Sequence, residues 1–440
     1  MTLQNASLEE IFPVTFVVNL PSREDRWEAF CERMRDRWPF GRIVRFPAVN
    51  GQLAPPPSWW TAGEGAWGCY RSHVQILETC LTSGVERVLI MEDDAFLVEE
   101  FEASCHSFFH HLPEQWKMIY LGGQHLQQHL RLPRKINEWV YQPFNVNRTH
   151  CYAVQGRETI RSLYQHLNEA RDWKEGHHID HHYGEWHKRN SSGMFVPRKW
   201  LVGQIEGLSS ITRKKEERNL WWGAEELTCG EISLPMVAVL GLYRGGTSCV
   251  TGVLQHLGVE LGSHLKPANV NNPTGFFEDD LLGDVCRNIF KEPWLSRDIG
   301  SEESVPLLRW WANKRCREAP ESSSCLGGKH PILSMLVPEL VQAWDNPKFI
   351  VVDRPIEESK RSLQNAYWGW PIEAIDYVLP RMLSQRDQAL QELNTSRLRV
   401  DFTELLREPE TVIREIVKFL KLNPSSEQQQ EAISFVKKTE

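Results

Sequence analysis

Residues 236–254 restrict the possible folds of this chain more than any other segment. Met236-Val-Ala-Val-Leu240 is a short apolar run, Gly241 to Gly246 hold three glycines, and a helical pattern starts near Thr247. A buried strand, a tight turn and a helix in that order are the building unit of an α/β fold. The turn also carries chemistry. Backbone amides of Gly245, Gly246, Thr247 and Ser248 can converge on an anion, and the positive end of the following helix favours negative charge there. A nucleoside triphosphatase would place Gly-Lys-Ser/Thr after four variable residues. Here no lysine appears and Arg244 precedes the glycine pair, which disfavours an ordinary ATPase or kinase.

A second fresh start of the same kind lies at Thr15–Leu20. Short buried-type strands at Val88–Met91, Met118–Leu121 and Phe349–Val352 alternate with amphipathic helices such as His73–Thr82 and Ile413–Leu420, so sheets covered by helices are expected. At 440 residues the chain exceeds one core, and the charged run Thr212–Asn219 with Trp221-Trp222-Gly223 reads as a linker. The expected domains are 1–211 and 234–440, joined by 212–233.

Charge and cysteine usage exclude several classes. A formal net charge of -8 argues against a general nucleic-acid or anionic-membrane binder, so any anion site must be local. Ten cysteines occur singly with no CxxC pair, which suits reduced thiols and a cytoplasmic setting. The first residues carry acids ahead of any apolar run, unlike a secretory signal, and no apolar run reaches the length needed to span a membrane.

Phe349-Ile-Val-Val-Asp-Arg354-Pro-Ile-Glu-Glu-Ser-Lys-Arg-Ser362 repeats the strand-then-helix pattern, with Arg354 at the strand's carboxyl end and Ser362 two turns into the helix. A guanidinium holds phosphate bidentately and a hydroxyl adds a donor. Together with the glycine turn, this segment resembles the sulfotransferase superfamily over about 200 residues. The resemblance implies a P-loop-type domain with a parallel sheet and the donor 3′-phosphoadenosine 5′-phosphosulfate. Arg244, Gly245, Gly246, Thr247 and Ser248 match the loop that takes the 5′-phosphosulfate, and Arg354 and Ser362 match the 3′-phosphate pair. Arg399–Pro409 is similar to a late strand and helix start of bacterial members. Arg244 stands where many members have lysine. Sulfuryl transfer needs a base for the acceptor hydroxyl and cations for charge gathering on the leaving phosphate. Glu278, in Asn271-Asn-Pro-Thr-Gly-Phe-Phe-Glu278-Asp279, is the first candidate base, with His264, Asp279 and His330 as rivals. The bland alternative for Glu278 is a helix-start carboxylate satisfying backbone amides. Lys329 matches a family lysine ahead of a proline and is the candidate cation.

In the first half, Val88-Leu-Ile-Met-Glu92-Asp93-Asp94 is an apolar strand ending in three acids. Strand carboxyl ends are where α/β folds place ligands, and clustered carboxylates there call for a hard cation. With Phe16-Val-Val-Asn19-Leu-Pro-Ser-Arg23-Glu-Asp-Arg26 and Gly65-Ala-Trp-Gly68-Cys69-Tyr-Arg-Ser72-His73, it resembles glycosyltransferase family 25 over roughly 14–200. That resemblance implies a GT-A-like fold, a UDP-sugar donor, Mn²⁺ (or Mg²⁺) and inverting transfer. Asn19, Arg23 and Arg26 would lie around the nucleotide, and Asp94 with Glu92 or Asp93 around the metal. Asp180, ahead of a helix in the His177–His187 cluster, is the candidate metal, donor or acceptor contact. His73 reads as a helix-start packing residue.

The combined expectation is a bifunctional transferase that adds a sugar and a sulfuryl group to hydroxyls of a glycan, glycolipid or glycoprotein acceptor. One alternative is a sulfotransferase with an inactive, carbohydrate-binding first domain. A second is a nucleotide-binding, kinase-like or regulatory protein.

Overall fold

The structure is a computed structural model that describes residues 6–169, 178–205, 207–208, 215–216, 232–366 and 368–437. It divides into two compact units, 1–128 with 132–228 and 129–131 with 229–440. The segment expected as a linker lies mostly outside the described residues.

Strands of the first unit are β1 (Val14–Asn19), β2 (Arg42–Pro47), β3 (Arg87–Glu92), β4 (Ala95–Leu97), β5 (Met118–His125), β6 (Arg134–Lys135), β7 (Val140–Gln142), β8 (Val146–Gln155), β9 (Met194–Pro197) and β10 (Val202–Gln204). Within the described residues, eight of them form one mixed sheet in the order β2-β1-β3-β8-β5-β9-β7-β6. The β2, β1 and β3 strands run parallel, and β8 enters antiparallel to β3. Burial explains the apolar runs. In β3, Leu89 and Met91 join the core that includes Phe30, Phe101 and Phe108, while Val88 and Ile90 join the one that includes Tyr70, Leu77 and Tyr183. Neighbouring residues of a strand face opposite sides of the sheet. A sheet covered on both faces therefore needs continuous hydrophobic strands rather than alternating ones.

β4 and β10 pair antiparallel outside the main sheet and set Gln204 opposite Ala95. A two-residue pair, β11 (Gly207–Leu208) with β12 (Lys215–Glu216), follows.

The second unit holds β13 (Met236–Leu240), β14 (Phe290–Lys291), β15 (Ser296–Arg297), β16 (Leu326–Lys329), β17 (Lys348–Asp353) and β18 (Arg397–Asp401). Its main sheet has the order β16-β13-β17-β18, and every pairing is parallel. Consequently the carboxyl ends of all four strands share one edge, and the residues that follow them meet there. The α/β architecture is thus present in both units, mixed in the first and parallel in the second.

The turn after β13 is shaped by glycine. Gly246 has φ of 85° and caps the helix Thr247–His256. A Cβ there would lie 2.3 Å from the ring of Phe402, the residue just beyond β18. Both the left-handed backbone and the close approach exclude larger residues. The substitution Gly246→Ala is therefore expected to lower stability by about 1–3 kcal/mol from backbone strain alone, read as a fall in the melting temperature.

Candidate functional sites

In the second unit the sequence-selected residues converge at the sheet edge. Arg244 has a left-handed backbone with φ of 61°. Its Nε donates to Ser362 Oγ at 3.1 Å, and its NH1 donates to the Asn271 carbonyl at 2.8 Å. Arg354 donates to the Arg244 carbonyl at 3.0 Å, pairs with Glu358 and lies over the Phe402 ring at 5.3 Å. The glycine turn after β13 and the Arg354–Ser362 segment are thus one connected cluster. Burial pushes the Arg244 pKa down, and the neighbouring Arg354 charge pushes it further the same way.

Lys329 ends β16, beside Val239 of β13, and is buried. Its ammonium donates to Ser248 Oγ at 3.1 Å, to the Phe276 carbonyl at 3.2 Å and to Glu278 Oε1 at 2.7 Å. Burial pushes the Lys329 pKa down, against the pull of the Glu278 carboxylate. For Glu278, burial alone would raise the pKa. The charges of Lys329, His330 and Lys266 outweigh it and leave the carboxyl below its ordinary value. Glu278 does not serve as the helix-start carboxylate, because Asp279 takes that role. Asp279 accepts from Leu282 N at 2.9 Å and from Trp311 Nε1 at 2.8 Å. Those bonds also weaken Asp279 as a rival base. His330 is buried, accepts from Ile332 N at 3.3 Å, and has its pKa held down to about 4, chiefly by burial.

Asn272 Nδ2, not singled out from sequence, donates to Ser248 Oγ at 3.1 Å. Lys266 lies 3.9 Å from Glu278 and over the Phe276 ring. Asn272 lies in the segment that leads to Glu278 but has no feature of its own that marks it, and Lys266 lies outside that segment. Both are carried in by the loop that follows Leu261.

In the first unit the acids at the end of β3 take separate partners. Asp93 accepts from Asn19 Nδ2 at 2.6 Å and pairs with Arg26, which also reaches Asp94 at 3.0 Å. Gln204 Nε2 lies 3.2 Å from Asp94, delivered by the β4–β10 pairing. Glu92 turns instead to Thr149 Oγ1 at 2.6 Å and lies 3.7 Å from His73 Nε2. Arg33 donates to the Asp93 carbonyl at 2.6 Å. Arg23 turns to Asp25 on the surface. Asp180, in the first turn of the helix Ile179–Asn190, accepts from Arg148 N at 3.3 Å and His181 N at 3.0 Å.

The electrostatics of these acids diverge. Burial first, then the Glu92 charge, raise the Asp94 carboxyl to about 7, although Arg26 opposes them. Burial would also raise Glu92, yet the neighbouring His73 and the Thr149 hydroxyl pull it below its ordinary value. A carboxylate cluster in which one member resists ionisation carries more negative charge than its own cations neutralise. Such a donor set suits a hard divalent cation.

The expectation that His73 opens a helix is corrected. The helix starts at Glu64 and runs to Ser83, so His73 lies in its middle and is fully buried. Gly63 caps that helix without a side-chain bond, leaving no sequence signal for the start. His182 is likewise buried, edge-on to Tyr70. His177 lies outside the described residues.

The Asp94 shift has a stability consequence with a definite sign. A carboxyl whose folded pKa exceeds its unfolded value near 4 destabilises the fold as pH rises from about 4 to about 7, because the unfolded chain ionises first. Asp94→Asn should therefore melt higher than the unchanged protein at pH 8, with the difference shrinking towards pH 4. Equal melting temperatures across that range would contradict the assignment.

Residues 60–171 match the model of glycosyltransferase family 25 (LPS biosynthesis protein). The curated relatives include the Bos taurus "Probable inactive glycosyltransferase 25 family member 3", 28% identical over 131 residues, and the Homo sapiens "Inactive glycosyltransferase 25 family member 3", 30% identical over 131 residues. Each match covers 25% of this chain and 22% of the relative, so the chain spans about a fifth of the length of those proteins. Among solved structures, the sulfotransferase STF9 from Mycobacterium avium aligns with 13% identity over 47% of this chain and 68% of its own, with a TM-score of 0.31. The region around the acidic strand end is thus similar to glycosyltransferase family 25, and a sulfotransferase is among the structural neighbours.

Proposed function

We infer that the second unit transfers a sulfuryl group from 3′-phosphoadenosine 5′-phosphosulfate to a hydroxyl. The observation that carries this reading is the gathering of Arg244, Arg354 and Lys329 with Ser248 and Ser362 on one sheet edge. There, Arg244 and Arg354 stand beside each other with each other's charge unfavourable. Crowded cations at a helix start are stabilised by a multiply charged anion. In a P-loop-type arrangement, the amides of Gly246 to Ser248 would take the 5′ side of the donor, and Arg354 with Ser362 the 3′-phosphate; the Gly245 amide, expected from sequence to join them, instead donates to the Leu242 carbonyl at 3.0 Å.

Glu278 and Lys329 divide the remaining work. Glu278 is ionised at neutral pH and accepts the proton of the acceptor hydroxyl as its oxygen attacks sulfur. Lys329 lies between that carboxylate and Ser248, so it can neutralise charge on the leaving phosphate oxygen. Moving the ammonium towards phosphate removes a counter-charge from Glu278 and raises its proton affinity as the proton arrives. Titration calorimetry with 3′-phosphoadenosine 5′-phosphate should show binding that is lost, or at least about 100-fold weaker, in Arg354→Ala. Absence of binding to the unchanged protein would end the sulfotransferase reading. Once an acceptor is in hand, Glu278→Gln should lower kcat by about 10²–10⁴ and remove the acid limb of its pH profile.

For the first unit, the proposed activity is transfer of a sugar from a UDP-sugar in a GT-A-like site. Asp93 and Asp94 would hold Mn²⁺ or Mg²⁺, Glu92 having turned away to Thr149, and the ion would neutralise the diphosphate of the donor. Arg26 now pairs with both aspartates and must yield to the ion. Asn19 orients Asp93, and Asp180 lies within electrostatic reach of the same region. Both curated relatives carry "inactive" in their names, which favours a second reading in which this unit only binds carbohydrate. Titration with UDP plus Mn²⁺ separates the two. Binding lost in Asp94→Ala supports a donor site, and no binding supports the carbohydrate-binding reading. With both activities the chain is bifunctional, acting on a glycan, glycolipid or glycoprotein acceptor.

A further inference from the structure

Cys69 and His73 are one turn apart on the helix Glu64–Ser83, and their side chains meet Glu92 at the end of β3. Their Sγ, imidazole nitrogen and carboxylate oxygen all lie within 4.8 Å of one another. His73 is fully buried, and its two ring nitrogens have different surroundings. Nδ1 lies 2.8 Å from Tyr152 Oη, which lies 2.7 Å from Tyr183 Oη. Nε2 has no hydrogen-bond partner and faces Glu92 Oε1 at 3.7 Å, beyond hydrogen-bond range. A buried polar nitrogen left without a partner is uncommon and calls for a specific explanation.

The arrangement matches what a metal-bound histidine requires. One nitrogen is fixed by an outer hydrogen bond, which sets the tautomer, and the other presents its lone pair to the ion. Thiolate, imidazole and carboxylate together select a borderline divalent cation over the hard ions that suit an all-oxygen set. We propose that Cys69, His73 and Glu92 form a Zn²⁺ site, separate from the Asp93–Asp94 pair and with a fourth position left for water. Binding replaces the thiol proton of Cys69 by the metal and releases that proton to solvent. The ion would also explain why Glu92 parts from Asp93 and Asp94, turning towards the helix and Thr149.

The test uses the full chain, stripped with chelator and then given Zn²⁺ or Co²⁺ alone. The expected result is one retained Zn²⁺ per chain by metal analysis after dialysis, and a thiolate-to-cobalt charge-transfer band with Co²⁺. Cys69→Ser should lose the band and weaken Zn²⁺ by at least about tenfold while circular dichroism remains unchanged. Cys69→Ala provides the same comparison if the serine variant fails to fold. Asp94→Asn should keep both ion and band, which separates this site from the donor site. No retained Zn²⁺ and no band, undiminished binding in both Cys69 variants, or loss of the ion in Asp94→Asn would each overturn the assignment.

Discussion

A charge withdrawn from water must be met by another charge or by hydrogen bonds, and both units concentrate this problem at the carboxyl ends of their strands. In the first unit the excess is negative, because Glu92, Asp93 and Asp94 follow one another while Arg26 reaches only two of them. In the second unit the excess is positive at Arg244 and Arg354, whereas Lys329 and Glu278 satisfy each other. Opposite signs at equivalent places in two sheets underlie the ligands proposed for them, a cation in one and a phosphorylated anion in the other. The rest of each unit serves to hold these groups in place. Apolar strands buried on both faces fix the edge, and helices carry the neutralising partners to it.

The parts of this arrangement visible in the sequence are those made within a short stretch of chain. The glycine turn is legible because strand, turn and helix start follow one another without interruption, and Arg354 with Ser362 is legible for the same reason. Glu92 to Asp94 stand out as acids that end an apolar run. Partners that arrive by long-range pairing left no such mark. Thr149 reaches Glu92 because β8 runs antiparallel beside β3, with Met91 opposite Cys151. Gln204 reaches Asp94 through β10, more than a hundred positions away. The mid-helix place of His73 is not legible either, because its helix begins at a glycine without a capping side chain and periodicity has no starting point to anchor it.

Glu278 illustrates how one position can be read two ways. A carboxylate just ahead of a helix is an ordinary capping residue, and the adjacent Asp279 fits that description equally well from sequence. Only the fold separates them, by turning Asp279 to Leu282 N and Trp311 and leaving Glu278 to Lys329. Removing either member of the Lys329–Glu278 pair would leave the other buried and uncompensated, an effect of about 3–5 kcal/mol for pairs of this kind. The same contact therefore serves stability and chemistry, and substitutions there affect both.

The contact between Gly246 and Phe402 has a bearing on how the protein is made. The glycine turn is synthesised early in the second unit, whereas Phe402, which packs against it and under Arg354, follows the last strand of that sheet. On the ribosome the turn therefore emerges before the ring that packs against it, and that packing forms only once β18 has docked. The packing of the turn is in this sense a property of the completed sheet rather than of the motif itself.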